Sequence, residues 1–126
     1  MVSCTGFIQS DCLTLAGASA DGVIVPTPSY DPADTSSDAA KRFYEAFKAK
    51  HGGEPTMVTS NGYDAIHLIS EAIEAVGYDG SKIAAHIRDR KGFNGASGTV
   101  SFTNGDVEVP IMYKVIRNGQ AETLNP

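Results

Sequence analysis

The sequence predicts an α/β fold, and three observations carry the prediction. Val23-Ile24-Val25 is a short, continuously apolar, β-branched run of the kind that forms a strand. Two segments, beginning near Asp38 and near Asn61, repeat apolar residues at three- and four-residue steps, as amphipathic helices do. Beyond Thr99 the chain changes to period-two alternation punctuated by Asn-Gly pairs, the pattern of β hairpins.

Taken in order, Cys12, Leu13, Leu15 and Ala16 read as the end of a short helix stopped by Gly17. Val23–Val25 reads as a strand covered on both faces, and Pro26, Pro28 and Pro32 are expected to prevent its continuation. Ser36, Ser37 and Asp38 offer an N-cap and a first-turn carboxylate for a helix to about His51, with Ala39, Ala40, Phe43, Ala46 and Phe47 on its apolar stripe. Lys48, Lys50 and His51 complement the dipole at its end, and Gly52-Gly53 terminates it. After Pro55, Thr56-Met57-Val58-Thr59 predicts a brief strand. Asn61 is then the predicted cap of a second helix, with Asp64 as a shortened capping-box acid. Along that helix Ala65, Ile66, Ile69, Ala72, Ile73 and Val76 are expected to face inward, and His67, Ser70, Glu71 and Glu74 outward, until Gly77. A third, shorter helix from Ser81 carries Ile83, Ala84 and Ile87 inward. The β tail follows: Thr99–Thr103, a turn at Asn104-Gly105, then Ile111–Arg117 ending in Asn118-Gly119. No interval is long or polar enough to be a domain linker.

Composition narrows the class. A chain of 126 residues with 41% hydrophobic and 20% charged residues has the make-up of a soluble globular protein, and a fold of this length buries roughly two thirds of its unfolded surface. The formal net charge of -5 and the absence of a long basic run argue against nucleic acid and anionic membranes as partners. No apolar stretch approaches the roughly 20 residues of a membrane span, and no basic-then-apolar leader opens the chain. Cys4 and Cys12 fit no redox motif and are too few for a zinc site, which leaves a single disulfide and two small buried thiols both open.

No catalytic constellation emerges from the residue types and their spacing. His51, His67 and His86 fall on polar sides or ends of predicted helices, where solvation accounts for them. Glu71 with Glu74 lies on an outward helix face, and Asp31 with Asp34 lies in a proline-rich turn. Gly95-Ala96-Ser97-Gly98 resembles a phosphate loop but precedes a strand, so it reads as a flexible turn. Two loops remain, Pro28-Ser29-Tyr30-Asp31 and Thr59-Ser60-Asn61-Gly62-Tyr63. Each follows a predicted strand, the position at which open α/β sheets bind small ligands. Tyr30, Ser60, Asn61 and Tyr63 are the candidate contacts, with no catalytic residue, no metal ligand and no cofactor.

The order of Leu13-Thr14-Leu15-Ala16-Gly17, Gly22-Val23-Ile24-Val25-Pro26, Phe43-Tyr44-Glu45-Ala46-Phe47-Lys48-Ala49-Lys50, Tyr63-Asp64-Ala65 and Gly98-Thr99-Val100-Ser101-Phe102 with Asn104-Gly105-Asp106 resembles a known family. It is similar to the C-terminal third of the solute-binding proteins of branched-chain amino-acid ABC importers, which have the type I periplasmic-binding-protein fold. The resemblance implies a partial two-lobed fold with three main helices, short strands and a C-terminal β hairpin. Residues 1–28 and 100–126 would belong to the second lobe and residues 29–99 to the first. It implies binding of an amino acid or similar small organic solute without catalysis, in the periplasm or outside the cell, with an ABC permease as partner. It also implies that the N-terminal part of the same protein lies outside these residues. The segment from Val58 to Asn61 would form a wall of the cleft, adding Val58 to the candidate contacts. The alternative from another class is the ligand-sensing domain of a regulator or receptor with the same two-lobed fold.

Helices that lose their sheet leave large side chains wet, at roughly 1.5–3 kcal/mol each. Phe43, Phe47, Ile69 and Ile73 together would approach a domain's whole net stability of about 5–15 kcal/mol. The isolated chain is therefore expected to self-associate, exchange elements with a second copy, or require the rest of the protein. A well-folded monomer by light scattering would contradict this.

Overall fold

The computed structural model describes residues 1–28 and 37–124. Its helices are α1 (Ser10–Ala16), α2 (Asp38–His51), α3 (Met57–Val76) and α4 (Gly80–Arg88). Its strands are β1 (Ile24–Pro28), β2 (Phe93–Gly95), β3 (Gly98–Thr103), β4 (Asp106–Glu108), β5 (Ile111–Arg117) and β6 (Gln120–Thr123). Two compact units result, one of Met1–Ser29 with Pro110–Pro126 and the other of Tyr30–Val109. The loop candidates Ser29 to Asp31, including Tyr30, together with Asp34 and Ser36, lie outside the described residues.

The first unit is an antiparallel sheet in the order β1-β5-β6, with α1 and short 3-10 turns at Thr5–Ile8 and Gly17–Ala20. Leu13, Ala20, Val23, Val25 and Ile116 form its core, with Phe7, Ile8, Ala16 and Ala121 packed against them. Gly17 ends α1 at φ 52°, a conformation that costs glycine little.

The strand at β1 departs from expectation twice. It is covered chiefly on one face: Val23, Val25 and Thr27 are buried, while Ile24, Pro26 and Pro28 are half-buried. It also runs through two prolines, pairing Pro26 with Tyr113 and Pro28 with Ile111. Parity explains the tolerance. The Ile24 N–H donates away from β5 to the Met1 carbonyl at 2.9 Å, and the missing donors of Pro26 and Pro28 fall on that same edge. The Pro26 carbonyl on that edge accepts a bond from the Thr5 hydroxyl at 3.0 Å. Cys4 and Cys12 are free and exposed, so neither of the alternatives left open by the sequence describes them. Leu13 is the residue of that turn of α1 that enters the core, which directs its neighbour Cys12 outward.

The Asn-Gly pairs at 104–105 and 118–119 form their hairpins. Asn104 and Gly105 take φ 54° and 89°, and Asn118 and Gly119 take 50° and 73°, the doubly left-handed geometry that matches strand twist.

In the second unit, α2 begins as expected, with the Ser37 hydroxyl oxygen accepting the Ala40 N–H at 3.0 Å. It ends at Gly52 with φ 71°. Lys48 donates to Glu54 at 2.8 Å and to the Tyr44 hydroxyl at 3.0 Å, closing the turn that follows. The Lys48 ammonium correspondingly holds the Glu54 carboxyl below its ordinary range.

Helix α3 starts earlier than predicted, and the stretch from Met57 to Thr59 is its first turn and not a strand. Thr56 and Thr59 make a reciprocal capping box. The Thr59 side chain accepts the Thr56 N–H at 2.8 Å, and the Thr56 side chain accepts the Thr59 N–H at 3.4 Å. This cap outweighs the β preference of Thr56, Val58 and Thr59, and it places Asn61 inside the helix instead of at its start. The inward face also differs. The line buried along α3 is Ser60, Asp64, Leu68 and Ala72, one residue per turn, whereas Ile66 is 69% and Ile69 42% exposed. On the side expected to face water, Glu71 is half-buried and accepts from Arg90 at 2.7 Å.

Asp79 caps α4 by accepting from the N–H groups of Ser81 and Lys82. Ile83 and Ile87 are half-buried there, while Ala84 is exposed. The second sheet has the order β2-β3-β4, and Val100 pairs with Phe93. That pairing keeps residues 100–109 in the same compact unit as α2, α3 and α4. Across α2 and α3 runs a row of rings: His51 to Phe47 at 4.7 Å, Phe47 to Phe43 at 5.7 Å, Phe43 to Tyr63 at 4.9 Å, and Tyr63 to His67 at 4.3 Å.

Two outcomes follow from this packing. Thr56→Ala removes one half of the capping box and is expected to lower unfolding free energy by about 1 kcal/mol in a denaturant titration. Phe43→Ala deletes the buried centre of the ring row and is expected to cost about 3 kcal/mol by the same measurement.

Candidate functional site

The candidate contacts Val58, Ser60, Asn61 and Tyr63 lie on the first turns of α3, but they point in different directions. Val58 is 58% exposed, and Asn61, one turn later, shares its outward side. Exposed Gly62, Ala65 and Ile69 continue that side along the helix. Ser60 lies on the other side and is fully buried. Its hydroxyl donates to the Met57 carbonyl at 2.9 Å and its N–H to the Thr56 carbonyl at 3.0 Å, so both of its donors serve the helix itself. Tyr63 occupies a third direction, its ring between those of Phe43 and His67. The structure therefore groups Val58 with Asn61 and separates both from Ser60 and Tyr63. The expected junction between a strand and a helix start is absent, because these residues already lie within α3.

A partly open cleft of about 230 Å³ lies within the second unit, between α2, α3 and β2. Arg42 on α2, Tyr63, His67 and Glu71 on α3, and Asn94 on β2 contribute its polar lining. At its base is a contact that residue type alone did not disclose. Asp64, only 6% exposed, accepts from the Ala96 N–H at 2.6 Å, the Ser97 N–H at 2.8 Å and the Ser97 hydroxyl at 2.5 Å. The sequence predicts a capping acid at Asp64 and a flexible turn from Gly95 to Gly98. In the structure the one immobilises the other. The spacing of 60, 64, 68 and 72 is the signal that would have placed Asp64 on the buried side of α3.

The arrangement offers hydrogen-bond donors, acceptors and a shaped surface. Among the described residues no group of three or more His, Cys, Asp or Glu side chains is placed to hold a metal ion. Nor is any helix long and apolar enough to cross a membrane.

Comparison with known proteins places this geometry in a family. The family described as periplasmic binding protein matches residues 1–113. Among solved structures, the leucine-binding protein LivK of Thermotoga maritima is 32% identical, with a TM-score of 0.81 over 98% of this chain and 36% of its own. The branched-chain amino-acid transporter substrate-binding protein LivJ of Streptococcus pneumoniae, solved with isoleucine, is 25% identical, with a TM-score of 0.74 over 99% of this chain and 37% of its own. An ABC transporter substrate-binding protein of Desulfitobacterium hafniense, in complex with Leu, is 26% identical, with a TM-score of 0.72 over 98% of this chain and 35% of its own. No curated protein matches the chain. The chain thus spans a little over a third of the length of these structures, and its α/β architecture is part of a type I periplasmic-binding-protein fold. With the family match covering most of its residues, the chain belongs to the periplasmic binding protein family.

Proposed function

We propose that these residues form a C-terminal portion of an extracytoplasmic solute-binding protein that takes up an amino acid or similar small organic molecule and delivers it to an ABC permease. The observation that carries this reading is the 32% identity and TM-score of 0.81 with a leucine-binding protein over 98% of the chain. Binding without chemical turnover suits a site made of hydrogen-bonding groups and cleft shape.

In this reading the outward side of α3 has two duties. Near the helix start, Val58 and Asn61 form a wall of the solute cleft, with Tyr63 of the same helix and Tyr30 as further contacts. Ser60 supports that wall from behind, since its own donors are engaged. Farther along, Ile66 and Ile69 pack against the remainder of the protein, which supplies the other part of the pocket. The length of the relatives supports such a remainder.

The test is a thermal-shift series on the full-length parent protein with leucine, isoleucine, valine and unrelated polar solutes. A solute at 100 times its Kd should stabilise the protein by about 2.7 kcal/mol. Asn61→Ala and Val58→Phe should each weaken binding about tenfold, a change of about 1.4 kcal/mol. No shift with any small organic solute, or unaltered affinity in both variants, would remove the basis for the reading.

A further inference from the structure

The turn between β2 and β3 is built around an anion that the chain supplies itself. The N–H groups of Ala96 and Ser97 are consecutive, and both point at the Asp64 carboxylate, one to each oxygen. The Ser97 hydroxyl adds a third donor to Oδ2. Successive backbone N–H groups turned to one side make a concave anion site. Its occupant here is nine-tenths buried, and its bonding partners are two amides and a hydroxyl. Gly95 completes the cradle. A Cβ at that position would lie 2.6 Å from Oδ1 and closer still to Oδ2 and Cγ, so only glycine lets the carboxylate seat.

We infer that the turn from Gly95 to Ser97 is a receptor for a carboxylate group. Asp64 fills it in the chain as it stands, and a free small monocarboxylate fills it once the Asp64 side chain is removed. The ligand class follows from the donors: two diverging N–H groups and one O–H match the two oxygens of a planar carboxylate. The donors are divided between two acceptor atoms, Oδ1 for Ala96 and Oδ2 for Ser97, whereas a halide would offer them one shared centre. In the unaltered chain the tether gives the Asp64 carboxylate an effective concentration that no dissolved anion reaches, so the receptor stays closed to external ligands. The Asp64 carboxylate in this way ties the β2–β3 turn to α3. This inference rests on the geometry of the second unit and not on the proposed solute.

The probe is formate, with chloride at equal ionic strength as control. Asp64→Ala should lower Tm by roughly 10 °C, since buried donors lose their acceptor. Formate should restore most of that loss with saturation on the order of 1–100 mM, as fits a ligand of three heavy atoms. The amide resonances of Ala96 and Ser97 should shift along the same curve, and the unaltered chain should not respond. If Asp64→Ala does not fold in buffer, refolding yield is followed against formate, and recovery in formate but not in chloride supports the receptor. A second arm uses Gly95→Ala, which should destabilise the unaltered chain strongly but hardly affect the Asp64→Ala background. Equal effects of formate and chloride would overturn the inference. So would an equal cost of Gly95→Ala in both backgrounds.

Discussion

A carboxylate taken out of water must find donors, and in the helical unit that requirement joins α3 to the sheet. Asp64 is buried in the middle of a helix, a place where an unpaired charge would be prohibitive. The cost is offset because the β2–β3 turn directs two N–H groups and a hydroxyl at it. The dependence is mutual. Without the carboxylate the turn would hold buried donors with no acceptor, and without Gly95 the carboxylate could not approach. Phe43, Leu68, Ala72, Phe93 and Ala96 then bury apolar surface in the same unit. The hairpin's far end is fastened separately to the end of α4, where Asp89 and the Arg88 carbonyl accept from Asn104 and Gly105.

The other unit is held by strand pairing across a large sequence separation. β1 comes from the start of the chain and β5 from near its end, in antiparallel register from Ile24 opposite Val115 to Pro28 opposite Ile111. Such pairing is entropically expensive to close, and the unit compensates by burying Val23, Val25 and Ile116 almost completely. Two prolines survive in β1 because their missing donors face the edge away from β5. The same residues would break a central strand.

These local solutions bear on function through α3. Its capping box moves the helix start upstream of Val58, so the residues proposed to face solute are carried on a rigid helix and not on a loop. That gives Val58 and Asn61 a defined direction and leaves Ser60 facing inward. In the proposed reading, the exposed isoleucines farther along the helix pack against the remainder of the protein. Their exposure accords with a chain that spans little more than a third of its relatives.

Much of the architecture was legible in sequence because it rests on short-range chemistry. Asn-Gly at 104–105 and at 118–119 sets a left-handed two-residue turn between strands, Ser37 and Gly52 bound α2, and the apolar period marks the helices; the ordered motifs pointed to the periplasmic binding proteins. What tertiary structure decided were choices among locally equivalent alternatives. Thr56 to Thr59 suits a strand or a reciprocal cap, a wide apolar helix face leaves open which side is buried, and a proline's tolerance depends on which edge of the strand its neighbour uses. The union of Asp64 with a turn some thirty residues later could be read from neither segment alone. A buried charge is stable only where distant donors converge, and convergence is a property of the fold.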